Sequence, residues 1–189
     1  FDDGPRQGTT DRLLDGLKER GASATFFVVG ERIGENQDLL LRMQAEGHQM
    51  GNHTWSHVCL QGAGEETICR EVSQTQAALE ALLGPGEYWL RPPYGKVEEQ
   101  ERKLVPVPMV QWSIDPRDWE LKDTEKVVQA VLKEAKPNAI ILLHDIYPTS
   151  VDAALKIVDA LQKEGYWFVT VKELLALNGL AQQLRERRS

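Results

Sequence analysis

Cysteine is scarce: Cys59 and Cys69 are the only two in 189 residues. Two cannot build the disulfide framework of a small secreted scaffold. They lack the C-x-x-C spacing of a redox or zinc pair, so they are expected as separate thiols, or as one bridge over a short loop in an oxidising compartment. No apolar run reaches the ~20 residues of a transmembrane span, and no signal peptide is visible. The chain starts at Phe1, directly on what reads as a strand end, so an upstream part and any targeting segment in it are expected to be missing. Positive charge is also short. Lys and Arg total 22 against 29 Asp and Glu, a net charge of −7, and no basic stripe marks a nucleic-acid footprint. The one dense charge run, Arg185-Glu186-Arg187-Arg188, reads as a solvated tail. No glycine-rich phosphate loop follows a strand, which argues against nucleotide binding. Internal repeats and low-complexity linkers are absent too.

What remains is ordinary globular composition, 41 % hydrophobic and 27 % charged, in a chain long enough for one sizeable core. Apolar runs alternate with amphipathic segments. Helices are expected at 9–20, 31–46, 65–83, 124–135, 150–164 and 171–177, the first three closed by Gly21, Gly47 and Gly84-Pro85-Gly86. Strands are expected at 24–29 (ATFFVV), 48–51, 88–90, 107–114, 139–143 (AIILL) and 166–169. This β-α repetition with short connections predicts an α/β protein with parallel strands. Roughly six or seven strands fit the length, leaving a closed barrel and an open doubly wound sheet as alternatives. The one boundary falls after Gly179, dividing a domain over 1–179 from a polar tail over 180–189.

Parallel α/β folds carry their chemistry at the carboxyl ends of strands. The unusual polar residues fall there. Asp2-Asp3 follow the truncated first strand; His53 and His57 follow the strand near Met50. Arg91 follows Leu90, Asp115 and Asp118 follow Ile114, and His144-Asp145 follow Leu143. His53-Thr-Trp-Ser-His57 is an i, i+4 pair that can turn both rings to one side. Two imidazoles and a carboxylate suit a catalytic zinc site with a position open for water. They equally suit the facial triad of a non-haem iron oxygenase, although β-α alternation counts against that fold. His144, shielded and beside acidic residues, could titrate near neutrality as a general acid requires. His48, in a helix-to-strand turn, is assigned to structure.

With these residues laid out, the chain resembles the polysaccharide deacetylases of the NodB-homology type, carbohydrate esterase family 4. Five motifs run in order: Phe-Asp-Asp-Gly-Pro at 1–5, His-Thr-Trp-Ser-His at 53–57, Arg-Pro-Pro-Tyr-Gly at 91–95, Asp-Pro-Arg-Asp-Trp at 115–119 and Leu-Leu-His-Asp at 142–145. The resemblance implies a distorted (β/α) barrel of about seven or eight strands, its first strand truncated in this chain. It implies Asp2 as catalytic base, Asp3, His53 and His57 as metal ligands, and Arg91 as the partner that keeps Asp2 ionised. The Tyr94 backbone N–H would help form an oxyanion hole, and Asp118 would tune His144, the general acid. Pro92, Pro93, Trp119 and Leu142 would line the substrate site. The implied cofactor is one divalent metal ion, zinc foremost, with cobalt, manganese or nickel as alternatives. The implied reaction removes N-acetyl groups from an amino-sugar polymer outside the cell or in its envelope, with peptidoglycan N-acetylglucosamine favoured by the segment His144-Asp-Ile-Tyr-Pro-Thr-Ser150. Chitin and O-acetyl xylan are alternatives, as is a glycan-binding domain without catalysis. The partner is the acetylated polysaccharide, not nucleic acid, and a monomer is expected.

Overall fold

A computed structural model describes the backbone of residues 1–186 and the side chains of residues 1–179; the charge run at 185–188 lies outside the described side chains. Helix α1 (Thr10–Glu19) buries Leu13, Leu14 and Leu17 on one stripe, against Ala154, Ile157, Val158 and Leu161 of α7 (Pro148–Lys163). Each buried leucine, isoleucine or valine there contributes about 1.5–3 kcal/mol by leaving water. Strand β1 (Thr25–Val28) is buried at all four positions, so both faces are covered and no polar alternation shows. It pairs in parallel with β2 (Gln49–Asn52), in register from Thr25↔Gln49 to Val28↔Asn52, and α2 (Gln37–Ala45) makes the crossover. Helix α3 (Glu65–Leu83) turns Ile68, Glu71, Val72, Thr75 and Leu79 inward, a stripe at helical period, and stops at Gly84 with φ 90°. Short α4 (Glu99–Arg102) and α5 (Asp118–Leu121) precede α6 (Thr124–Glu134), whose N-cap Asp123 accepts the Lys126 N–H. Helix α7 begins on Pro148, where a missing N–H costs nothing. Helix α8 (Val171–Glu186) closes the described chain.

The fold is α/β with parallel pairing throughout. The sheet differs from the expected barrel of seven or eight strands. Among the described residues only β1 and β2 form a regular sheet, of two strands, and it is not closed. The other extended segments meet by single parallel bridges: Asp2 with Phe27 and with His144, Leu90 with Asn52 and with Met109, and Ile114 with Ile141. Part of the reason is proline, which cannot donate to a ladder: Pro92 and Pro93 end the segment after Leu90, and Pro106 and Pro108 interrupt the next. The expected strand at 166–169 is not a strand; it keeps one ladder-like bond, Ser23 N–H to the Phe168 carbonyl.

The helices differ in two places. The single helix expected over 31–46 is a 3-10 turn at Gly30–Arg32 followed by α2, with Gly34 in the break. The last helix runs past Gly179 instead of ending at 177, since one interior glycine costs only about 1 kcal/mol. Both cysteines are free thiols. His48 is buried against Phe26, its Nδ1 accepting the Ala24 N–H, and burial lowers its pKa.

Candidate active site

The single bridges place the polar residues. Asp2 lies between β1 and the segment carrying His144, donating its N–H to the Leu143 carbonyl at 3.0 Å. Asn52, the last residue of β2, accepts the Arg91 N–H at 3.0 Å, which sets His53 beside Arg91. The carboxyl ends of separate chain segments thereby meet at one rim.

Asp3, His53 and His57 offer one ligand atom each, all within 4.8 Å of one another. Asp3 Oδ1 stands 3.4 Å from His53 Nε2 and 3.2 Å from His57 Nε2, yet this buried oxygen has no hydrogen-bond partner. The chemistry of the set explains that arrangement. His53 Nδ1 is 2.6 Å from the Arg91 carbonyl, which can only accept, so Nδ1 carries the proton and Nε2 presents a lone pair toward Asp3. Lone pairs from imidazole and carboxylate facing one point fit a bound cation, and the carbonyl behind His53 is the usual orienting partner of a metal-binding imidazole. The donor types fit zinc or a neighbouring divalent ion. Burial pushes the Asp3 carboxyl up, but the neighbouring His53 and His57 rings outweigh it and hold it low.

Beside this trio, Asp2 and Arg91 form a buried pair. Arg91 is 1 % exposed; its Nη1 donates to Asp2 Oδ1 at 2.7 Å, its other nitrogens reach the Val110 and Gln111 carbonyls, and its guanidinium lies 4.0 Å over the Phe27 ring. Burial alone would raise the Asp2 pKa; Arg91 and His53 reverse that, so the carboxyl is held below its ordinary range. The second carboxylate does other work. Asp118 is fully buried and accepts the His144 N–H and its ring Nδ1, both at 2.8 Å. Burial draws the His144 pKa down, the Asp118 hydrogen bond and charge draw it up, and the net shift is upward.

Tyr94 sits at φ 62° with its ring edge-on to His57 at 4.8 Å. Among the described residues no hydrogen bond occupies its N–H, which leaves that donor free at the rim. Pro93 is buried beneath it and Pro92 with it, while Leu142 is 3 % exposed and Trp119 43 % exposed, beside Arg117.

Two buried carboxylates near the site carry no role in the sequence reading. Asp145 is buried, bonded to Thr10 Oγ1, and raised to about 6 by burial; a Cβ on Gly4 would lie 2.2 Å from its Oδ2. Glu71 receives the backbone N–H and hydroxyl of Ser56. The available signal for Glu71 is its place on the apolar stripe of α3, where a charged residue breaks the pattern.

The profile of the family described as polysaccharide deacetylase matches residues 1–105. The peptidoglycan-N-acetylmuramic acid deacetylase PdaC of Bacillus subtilis is 38 % identical over 174 residues, covering 92 % of this chain and 37 % of PdaC. Its solved structure superposes with a TM-score of 0.95 at 37 % identity, covering 100 % of this chain and 95 % of that one. The peptidoglycan-N-acetylglucosamine deacetylase PgdA of Listeria monocytogenes is 37 % identical, over 92 % of this chain and 37 % of PgdA. A family 4 acetyl xylan esterase from Clostridium thermocellum, solved with a cobalt ion, gives a TM-score of 0.89 at 32 % identity, covering 95 % of this chain and 89 % of that one. The chain thus spans little more than a third of the full PdaC and PgdA sequences. With the family profile matching more than half its length, the chain belongs to the polysaccharide deacetylases.

Proposed function

We propose that this chain is a metal-dependent hydrolase that removes N-acetyl groups from an amino-sugar polymer, with peptidoglycan N-acetylglucosamine as its substrate at the cell envelope. The observation that carries the reading is the Asp3, His53 and His57 donor set, flanked by one carboxylate whose pKa is drawn down and one histidine whose pKa is drawn up. Two relatives named for peptidoglycan substrates support the polymer. The relative named for N-acetylmuramic acid makes that sugar the competing substrate.

When bound by Asp3, His53 and His57, a divalent ion, zinc in this reading, would polarise the acetyl carbonyl and make water a nucleophile near neutral pH. Asp2 takes the proton from the attacking water, and Arg91 keeps it charged and aimed for that task. The free Tyr94 N–H meets the charge developing on the carbonyl oxygen, a contribution of roughly 3 kcal/mol for one such donor. His144 gives its proton to the departing amine, with Asp118 keeping it protonated until then. Trp119, Leu142 and the Pro92-Pro93 turn form the wall for the acetyl methyl and the sugar. The catalytic unit is residues 1–179, acting as a monomer, and the run of single bridges from Asp2 round to His144 supports reading the scaffold as a distorted barrel.

Acetate release measured side by side on N-acetylated peptidoglycan, chitin oligosaccharides and O-acetyl xylan tests the reading. Chelation should abolish release, and zinc or cobalt should restore it. Full activity in a rigorously metal-free preparation, or no release from any N-acetylated glycan by the zinc-loaded chain, would overturn it.

A further inference from the structure

The loop His53–His57 supplies two of the three metal donors, and its backbone is unusual. Thr54 and His57 lie at φ 63° and 60°, a left-handed region that side chains other than glycine avoid. Such a conformation persists only where the surroundings over-determine it. Here they do. The Thr54 N–H donates to Asn52 Oδ1 at 2.9 Å, and the N–H groups of Gly30 and Glu31 donate to the Thr54 and Trp55 carbonyls at 2.9 and 3.0 Å. The far end of the loop is held by a single side chain: the Ser56 N–H donates to Glu71 Oε2 at 2.8 Å, and the Ser56 hydroxyl donates to Oε1 at 3.0 Å.

Glu71 is 7 % exposed on the buried stripe of α3, and among the described residues no cation pairs with it. A carboxylate is costly to bury without such a partner. Its two oxygens are spent on Ser56 alone. The two histidines also differ in how they are oriented. The His53 ring is fixed through its own Nδ1 by the Arg91 carbonyl. His57 has no hydrogen bond to its Nδ1 among the described residues, so its ring direction toward Asp3 follows from the backbone at 56–57 and from the edge contact with Tyr94.

We infer that Glu71 is a positioning residue of the metal site, which acts through Ser56 to aim His57 at Asp3 and thereby sets the affinity for the ion. The inference rests on the reading of Asp3, His53 and His57 as the metal ligands.

Zinc competition against a chromophoric chelator tests it, on wild type, Glu71→Gln, Ser56→Ala and Glu71→Ala, with the melting temperature of each metal-free form recorded alongside. An amide can keep both contacts, its oxygen accepting the Ser56 N–H and its NH2 group donating to the Ser56 hydroxyl oxygen, whereas alanine at 71 keeps neither. Glu71→Ala should therefore weaken zinc binding about 10- to 100-fold, the range for lost orienting partners, while Glu71→Gln should stay near wild type. Ser56→Ala keeps the N–H bond to Glu71 and should lose less than Glu71→Ala. The metal-free melting temperature of Ser56→Ala should stay near wild type, since a merely structural contact would lower it and leave affinity alone. Affinity of Glu71→Ala within about twofold of wild type would overturn the inference. If Glu71→Ala does not fold, Ser56→Ala decides, and an affinity equal to wild type would overturn the inference. Zinc binding by wild type separates the two claims: its absence overturns the metal reading itself, whereas equal binding across the set overturns only the role of Glu71.

Discussion

Asp118 has no contact with solvent and spends both oxygens on His144, one on the backbone N–H and one on the ring. The charged groups that bear on the ring are Asp118 foremost, then Asp3 and Asp2, with Tyr147 edge-on at 6.3 Å. Burial favours the neutral ring and Asp118 favours the charged one, with Asp118 and its acidic neighbours prevailing. Asp118→Asn keeps the shape and removes the charge, so the balance tips toward the neutral ring. A general acid works below its pKa, so the alkaline limb of kcat/KM should move to lower pH in that variant. A pH profile of acetate release checks this, and an alkaline limb that stays in place would assign it to a group other than His144. Aspartate at 118 was legible from the motif that carries it. The two-point grip on His144 was not, because residue order says nothing about which oxygen meets which nitrogen.

Among the elements, the turn Asp2–Pro5 depends on its neighbours for shape. Gly4 is packed so closely against Asp145 that a methyl group there would sit 2.2 Å from a carboxylate oxygen. Asp145 cannot swing aside, since it is buried and bonded to Thr10 at the start of α1. Gly4→Ala should therefore destabilise the chain by about 1–3 kcal/mol, the usual cost of overpacking, read as a lower urea midpoint. Pairing it with Asp145→Ser should recover part of the loss, and a single variant as stable as wild type would show that Asp145 yields. Elements with strong local rules were legible in the sequence. Helix α3 begins and ends at the expected residues because its apolar stripe is periodic and Gly84 stops it. Helices α1, α6 and α7 fall within two residues of expectation for the same reasons. The strands were less legible. A short apolar run signals burial, yet whether it becomes a ladder or a single bridge depends on neighbours far away in the chain and on prolines such as Pro108. Helices α4 and α5, of four residues each, are too short to show any periodicity.

Across the whole molecule, the order of five motifs disclosed which residue types gather, and their positions after strands disclosed the rim. What order could not supply was the supporting layer. Glu71 lies outside any run that advertises chemistry, Asp145 closes the fifth motif without a role of its own there, and each matters through a contact made only in three dimensions. The same arrangement bears on the stability of the fold. Asp2 and Arg91 are 89 residues apart in sequence, Thr10 and Asp145 are 135 apart, and the segment carrying Asp3 is held between the start and the late part of the chain. An unfolded chain has no such meeting point and cannot offer the three donors together. An ion that binds only the folded chain therefore acts as a clasp across the entire molecule, drawing the folding equilibrium toward itself by mass action. At a hundredfold excess over Kd the added stability is about 2.7 kcal/mol, which corresponds to a rise in Tm of about 5–10 °C for a chain of this size. Calorimetry with and without zinc should show it, and an unchanged Tm at saturation would mean that the ion is held as well by the unfolded chain. A site shaped for turnover would then also be the knot that keeps the fold tied.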